Sequence, residues 1–151
     1  MDIKNAIADF QFIANRVSKF SYEIADIDVK DEKAKVNYNI DYNVLSMNED
    51  ENNFVGKLEY ITDIRANVNE ETFFIIQLIM EGVFIGNKKK LSETDFKNRM
   101  ELNGIATLSH LSRSYIIAAT SLAGMNPPVK TPMANIHLLM AMKNNKEDNK
   151  K

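Results

Sequence analysis

Residues 70–82 read EETFFIIQLIMEG, and this stretch decides the fold of the 151-residue chain. Between Thr72 and Met80 the only strongly polar residue is Gln77. A strand that is apolar at both odd and even positions is typically buried on both faces of its sheet. We therefore predict a strand here, whose second face must be covered by helices or by another copy of the chain.

Three further strands are predicted before this one. Residues 35–44 alternate without exception, and their apolar members are Val36, Tyr38, Ile40, Tyr42 and Val44. Even positions are also apolar in residues 10–24 and 54–68, which makes both segments half-buried strands. In the first of these, Ile13 and Val17 break the phase and predict a bulge between two halves of a long strand. The polar residues 48–53 and 67–71 predict turns.

Helical patterns follow the strands. Ser92 is a predicted N-cap with Asp95 at the third helical position. From Ile105 to Gly124 the apolar residues recur at helical spacing, in a stripe wide enough for a helix buried on most sides. Gly104 is a candidate break before this helix. Residues 131 and 132, Thr-Pro, are predicted to open a second, short helix.

Composition narrows the range of functions. The 19 basic and 21 acidic residues give a net charge of −2, which favours neither nucleic acid nor membrane as a partner. The absence of cysteine excludes disulfides and thiolate catalysis, and fits a reducing compartment. Residues 1–10 lack the apolar core of a signal peptide, and no apolar run reaches the roughly 18 residues of a membrane span. We therefore expect a cytoplasmic protein without membrane insertion.

Catalytic and metal-binding patterns are weak in this sequence. Residues 82–88 lack the spacing and the Lys-Ser/Thr pair of a phosphate-binding loop. His110 lies beside Ser109, but neighbouring helical residues point about 100° apart and do not form a nucleophile–base pair. The acids of residues 48–53 do not have the spacing of a calcium loop. We predict no enzyme activity, no cofactor and no metal.

Methionines are concentrated near the C-terminus, where the cluster consists of Met125, Met133, Met140 and Met142. The flexible thioether suits a surface that accepts many apolar shapes, but methionine is also an ordinary filler of cores. The sequence leaves both interpretations open.

Three short motifs, in this order, resemble the SecB family of export chaperones. They are residues 70–77 (EETFFIIQ) leading to Gly82–Phe84, Leu111–Arg113 in the long helix, and residues 124–127 (GMNP) running to 132–135 (PMAN). The resemblance implies an α+β fold: a four-stranded antiparallel sheet followed by a long helix and a short C-terminal helix. It covers one domain, residues 1–142, and leaves residues 143–151 as a disordered polar tail.

The resemblance further implies a cytoplasmic homotetramer, a dimer of dimers. It would bind unfolded or export-bound polypeptides without nucleotide and serve protein transport and translocation. Its grooves would be formed by the sheet, the connecting loop and the last helix. The candidate client-binding residues are Val36, Tyr38, Ile40, Tyr42, Met125, Val129, Met133, Ile136 and Met140, for which plain core packing is the alternative.

Departures from the export members concern the docking of the SecA motor. Glu23 matches one acid that such members use on the exposed sheet, but Lys19 and Gln77 stand near the positions of two others. The connection in residues 25–33 is short and poor in aromatic residues, and the tail is rich in lysine. These departures favour a divergent member, of the kind that includes solitary chaperones guarding an antitoxin.

Two other classes remain as alternatives. A hot-dog thioesterase would need a long helix wrapped by the sheet and carrying an acid, whereas this helix follows all four strands and has no Asp or Glu between Ile105 and Gly124. A structural oligomer without a client would not bind extended peptides.

Overall fold

The computed structural model describes residues 8–26 and 33–148, with side chains as far as residue 145. Four strands, β1 (Phe10–Ile24), β2 (Lys35–Glu49), β3 (Asn53–Val68) and β4 (Glu71–Asn87), come first. The helices α1 (Glu93–Arg99), α2 (Ile105–Leu122) and α3 (Ile136–Asp148) follow, and a π-helical turn (Met100–Gly104) joins the first two. The strands form one antiparallel sheet in the order β1-β4-β3-β2. This arrangement confirms the predicted fold class.

A tight turn joins the two central strands. Val68 pairs with Glu71, and the two residues between them, Asn69 and Glu70, have φ angles of 48° and 69°. Two consecutive residues with positive φ are typical of the hairpin turn whose twist matches that of the strands it joins. The turn predicted at residues 67–71 is therefore confirmed, and it fixes which side chains of β3 and β4 share a face.

Irregularities in β1 explain its broken pattern. The pairing with β4 shifts once between Phe12 and Ala14 and again between Val17 and Lys19. An extra residue moves all later side chains to the other face, so the bulge at Ile13 brings Val17 to the side of Met80. The prediction of one bulge between two halves was therefore incomplete, because a second shift at Ser18 restores the original phase.

The core lies between the helices and one face of the sheet. Even-numbered side chains of β3 and β4 point into it, and Leu58, Ile76 and Phe84 are fully buried. On the helices all buried residues except Ile105 recur every fourth position, at Phe96, Met100, Gly104, Leu108, Ser112, Ile116 and Thr120. Four residues of an α-helix cover about 40° more than one full turn, so each successive residue of this stripe would lie farther around the helix and away from the sheet. The wider π turn counteracts part of that rotation.

Helix ends agree with the prediction in part. The Ser92 hydroxyl accepts a hydrogen bond from the backbone N–H of Asp95, which confirms the predicted cap of α1. Gly104 continues the helical path as part of the π turn instead of breaking it. Gly124, with φ +88°, ends α2 as expected.

The start of the last helix differs from the prediction. Thr131 and Pro132 lie in the extended connection, and α3 begins at Ile136 because the Asn135 side chain accepts a hydrogen bond from the backbone N–H of Leu138 at 3.1 Å. The helix runs to Asp148, so residues 143–148 continue it although we expected them to form a tail. Residues 149–151 lie outside the described residues.

The second face of the sheet, here called the outer face, carries no helix among the described residues. Its apolar members on β4, including Ile75, Ile79, Val83 and Ile85, are half-buried among the side chains of the neighbouring strands. The prediction that β4 is buried on both faces therefore holds for the helix side alone within one copy of the chain.

Candidate functional site

The predicted client-binding residues lie together along one border of the core. They come from edge strand β2, from the connection between α2 and α3 (residues 123–135), and from α3. Tyr42 and Val129 are buried in the core; Val36, Ile40, Met125, Ile136 and Met140 pack against it and are half-buried; Tyr38 and Met133 are exposed by 40% and 73%. We call this border, with its half-buried and exposed members, the β2–α3 groove.

Two hydrogen bonds hold the connection in place beside β2. The backbone N–H of Val129 donates to Thr120 Oγ1 of α2 at 3.0 Å, which ties the middle of the connection to the long helix. The Tyr38 hydroxyl donates to the carbonyl oxygen of Lys130 at 3.4 Å, at the limit of hydrogen-bond length. The connection therefore forms one wall of the groove, and its position depends on contacts with α2 on one side and with β2 on the other.

Helix α3 is attached to the edge of the sheet through Lys143. Its Nζ donates to Asp41 Oδ1 at 2.9 Å and to Asn43 Oδ1 at 3.0 Å, and it lies 5.5 Å from the centre of the Tyr42 ring. The same helix exposes Leu138 and Met142 to solvent. Because α3 presents apolar side chains both toward the core and away from it, it offers more apolar surface than its packing within one copy requires.

A cavity of about 160 Å³ opens between α2 and the connection. The helix contributes Ala106, Ser109, His110 and Arg113; the connection and α3 contribute Thr131, Pro132, Met133, Ala134 and Ile136; β3 contributes Tyr60. Burial raises the pKa of the Tyr60 hydroxyl to about 12, so this group keeps its proton at neutral pH. The cavity combines an apolar mouth with polar groups on one helix.

A larger, more polar cleft of about 460 Å³ lies farther along the edge of β2. Tyr42, Val44 and Met47 of β2 line one side of it, and Lys97, Glu101 and Lys143 line the other. Lys97 Nζ lies 4.0 Å from Glu101 Oε1, one helical turn away. The cleft continues the β2–α3 groove, and charged side chains line the wall opposite β2.

The outer face of the sheet has an ion-pair network at its centre. Glu81 Oε2 of β4 accepts from Arg16 Nε of β1 at 2.8 Å and lies 2.9 Å from Lys57 Nζ of β3. The hydrogen bonds from Arg16 and then Lys57 lower the pKa of the Glu81 carboxyl to about 2. The carboxylate is therefore charged at neutral pH and links three adjacent strands.

The residues that the sequence compared with SecA-docking acids also lie on the outer face. Glu23 is exposed opposite Ile75, and Lys19 Nζ donates to Gln77 Oε1 at 3.0 Å. The structure therefore brings all three positions onto one surface, where an acid, a base and an amide stand together.

Several surface residues escaped the sequence interpretation. Leu122, at the end of α2, is 90% exposed, and Leu138 is exposed on α3. Arg113 and His110 line the same cavity, although the histidine is otherwise exposed. Their spacing with Ala106, at positions i, i+4 and i+7, was the signal that places them on one face of a helix.

Two observations on the described part of the chain concern metal binding and Ser109. No group of three or more His, Asp or Glu side chains within it is placed to hold a metal ion. The Ser109 hydroxyl donates to the carbonyl oxygen of Ala106 at 2.8 Å, within its own helix. No helix in the same part is long and apolar enough to cross a membrane.

Comparisons with known proteins place this architecture. No protein-family model matches the sequence, and no curated protein matches it. Among solved structures, the chain is similar to the SecB-like chaperone Rv1957 of Mycobacterium tuberculosis, in complex with a ChAD peptide from the Rv1956 HigA1 antitoxin. That similarity has a TM-score of 0.59 at 12% identity, over 84% of this chain and 91% of the other.

A second similar structure is a protein of unknown function from Streptococcus agalactiae. It has a TM-score of 0.44 at 14% identity, over 82% of this chain and 97% of that one. The comparison with Rv1957 shows that this chain has a SecB-like fold.

Proposed function

We propose that this protein is a chaperone that binds extended, apolar polypeptide segments along the β2–α3 groove without nucleotide. One observation carries the proposal: a strand, a connection and a helix each leave large apolar side chains exposed in a chain with a SecB-like fold. Tyr38 and Met133 are the exposed members of the groove, and Leu138 and Met142 are exposed elsewhere on α3. Large exposed apolar surface is typical of binding sites for other proteins.

The physical basis of such an activity is mass action. A protein that binds the unfolded form of a client lowers the concentration of free unfolded chains, and with it the rate of aggregation. Methionine at 133 and 142 adapts to differently shaped apolar side chains, which suits clients without a common sequence. β2 is an edge strand, so an extended client could also add main-chain hydrogen bonds to it.

The proposed assembly is a homotetramer, a dimer of dimers. It is supported by the outward side of α2, where Leu122 is 90% exposed and Tyr115 also reaches the surface. An isolated large apolar side chain exposed to this degree gains from burial against a second copy. Light scattering coupled to gel filtration tests the proposal, and a monomer at all concentrations would refute the assembly.

The proposed role as a dedicated chaperone of an antitoxin is the second candidate. It is favoured by the complex of Rv1957 with a peptide from an antitoxin. A dedicated chaperone binds one sequence far more tightly than others, whereas a general one binds many with similar affinity. Dissociation constants across a panel of unrelated unfolded peptides separate the two, since a narrow range of values supports the general role.

Docking on the SecA motor would use Glu23 on the outer face. Lys19, which donates a hydrogen bond to Gln77, and Gln77 itself stand near positions where the export members have acids, so this surface is less acidic here. We therefore propose weak SecA binding, which the variant Lys19→Glu should strengthen if the acidic surface is what the motor recognises.

The main experiment measures light scattering by a reduced, unfolded test protein in nucleotide-free buffer. Suppression of aggregation at equimolar assembly supports the proposal, and addition of ATP should leave the result unchanged. A chain that stays folded yet leaves aggregation unaffected, and binds neither extended peptides nor apolar dyes, would be the structural oligomer instead.

A further inference from the structure

The cavity between α2 and the connection has a pronounced charge asymmetry. From Ile105 to Met140 the sequence contains Arg113 and Lys130 but no Asp or Glu, although the whole chain has a net charge of −2. Arg113 lines the cavity and is half-buried. The wall of this cavity is therefore locally basic in an acidic protein.

Arg113 also has no carboxylate partner in the part of the chain that the structure describes. Arg16, Lys57, Lys88, Lys90, Lys97 and Lys143 each lie within 4.0 Å of an acidic oxygen. Across residues 8–26 and 33–145, no such partner lies near Arg113. A guanidinium carries five N–H donors in a planar fork that matches a carboxylate. The half-buried Arg113 guanidinium, which pairs with no carboxylate of the described residues, is therefore available to bind a carboxylate of another molecule.

The neighbouring groups extend the polar wall. His110 precedes Arg113 by three positions, so the two side chains begin about 5–6 Å apart on one helix face. Both line the cavity, together with the buried Tyr60, whose hydroxyl keeps its proton because burial raises the pKa to about 12. Each of the three side chains carries a hydrogen-bond donor or can carry one.

Apart from Ser109 and Thr131, the rest of the cavity lining is apolar, and the cavity is small. Met133, Pro132, Ile136 and Ala106 form its mouth and sides. Its volume of about 160 Å³ is below the roughly 300–1,000 Å³ of pockets for drug-sized ligands. This size suits a single large apolar side chain with a polar group beside it.

We propose that this cavity is a selectivity pocket of the chaperone, which takes an apolar client side chain while Arg113 and His110 bind a carboxylate close to it. The inference rests on the proposed function. It identifies preferred clients as extended segments in which an apolar residue lies within a few positions of an acidic group. That group is an Asp or Glu side chain or the carboxylate at the end of the client chain.

Fluorescence anisotropy with labelled peptides tests this specificity. One pair shares an apolar sequence and differs by Glu against Gln beside the anchor, and a second pair, without acidic side chains, has a free or an amidated C-terminus. We expect the carboxylate of at least one pair to tighten binding about tenfold at low salt, and the difference to shrink in 0.5 M salt. The two pairs distinguish a side-chain carboxylate from a terminal one.

Variants at one residue make the test specific. Arg113→Gln should abolish the preference, and Arg113→Glu should reverse it toward a Lys-containing peptide. Arg99→Gln is the matched control, because Arg99 is exposed in the last turn of α1 and does not line the cavity. Circular dichroism checks that each variant is folded. Should a variant not fold, the decrease of the carboxylate preference of the wild type in 0.5 M salt still tests the charge interaction.

The outcomes separate the two proposals. Equal binding of both members of each pair by the wild type, or an unchanged preference in Arg113→Gln, would overturn the selectivity pocket while leaving the chaperone function intact. If none of the peptides binds, the chaperone function fails and the pocket with it.

Discussion

Thr120 and Val129 are joined by a hydrogen bond in which the backbone N–H of Val129 donates to the Thr120 hydroxyl oxygen at 3.0 Å. The same hydroxyl donates to the carbonyl oxygen of Ile116 at 2.7 Å, and both residues are buried. One side chain thus serves as acceptor for the connection and as donor to its own helix. Nine residues of sequence separate the two partners, so this bond positions the wall of the β2–α3 groove relative to α2.

Replacement of Thr120 should therefore destabilise the protein. Thr120→Val keeps the shape of the side chain but leaves the buried N–H of Val129 without an acceptor, which costs about 1–3 kcal/mol. Urea unfolding measures the change. Thr107→Val is the matched control, since the Thr107 hydroxyl is near solvent and bonds only to the carbonyl of Asn103 one turn away. Equal losses in the two variants would contradict the positioning role.

The network of Arg16, Glu81 and Lys57 predicts a dependence of stability on pH. Since the folded pKa of Glu81 is about 2, below the usual value near 4.3, its carboxylate adds stability that is present above pH 4.3 and is lost as the pH falls toward 2. Glu81→Gln should cost about 0.5–1 kcal/mol at pH 7, because solvent screens the exposed Arg16. The difference from the wild type should vanish near pH 2.

A control for this network is Glu49→Gln, which removes the pairing with Lys88 at 2.9 Å. Glu49 is largely exposed at the end of β2, so we expect a change below about 0.5 kcal/mol. A Glu81→Gln variant whose deficit is the same at pH 7 and near pH 2 would show that packing, and not charge, explains the loss.

Gly82 allows a close approach of α2 to the sheet. A Cβ at this position would lie 2.9 Å from Leu108 Cδ2 and 3.0 Å from Phe84 Cε2. Gly82→Ala should therefore cost about 1–3 kcal/mol through overpacking. In the double variant with Leu108→Val the loss should be smaller than the sum of the single losses, because the shortened side chain relieves the contact.

A different glycine provides the comparison. Gly124 has φ +88° and no heavy atom within 4 Å of the added Cβ, so Gly124→Ala suffers backbone strain alone. We expect a loss of about 1 kcal/mol that shortening Leu108 does not relieve. Rescue of both glycine variants by Leu108→Val would refute the contact explanation.

Client binding should depend on exposed residues of the groove. Met133→Gln changes a side chain that is 73% exposed, so stability should change by less than about 0.5 kcal/mol while affinity for an unfolded peptide falls several-fold. Ile136→Gln should weaken binding as well, with some loss of stability because this residue is half-buried. Neither change should alter the size of the assembly in gel filtration.

The control for client binding is Ile13→Gln. Ile13 is exposed at the bulge of β1, on the edge of the sheet opposite to β2. Its replacement removes a similar apolar surface but should leave peptide affinity unchanged. If Ile13→Gln weakens binding as much as Met133→Gln does, clients bind by general surface hydrophobicity and not in the β2–α3 groove.

The sequence by itself determined the order of the elements and most of their local ends. Strand alternation in residues 35–44, the cap at Ser92 and the turn at residues 67–71 depend on side chains within a few positions of one another. Such signals act through local backbone preferences, so they remain readable before the chain is folded. The apolar stretch at residues 70–82 likewise indicated the central strand, which extends to Asn87.

Only the tertiary structure decided which distant residues meet. Arg16 and Glu81 are separated by 65 positions, and the alignment of β1 with β4 that joins them depends on two bulges, of which the sequence pattern predicted only one. In the same way, Arg113 lines a cavity only because the connection folds back beside α2. Long-range pairing of this kind is selected by the free energy of burying the whole core, which no single segment of the sequence carries.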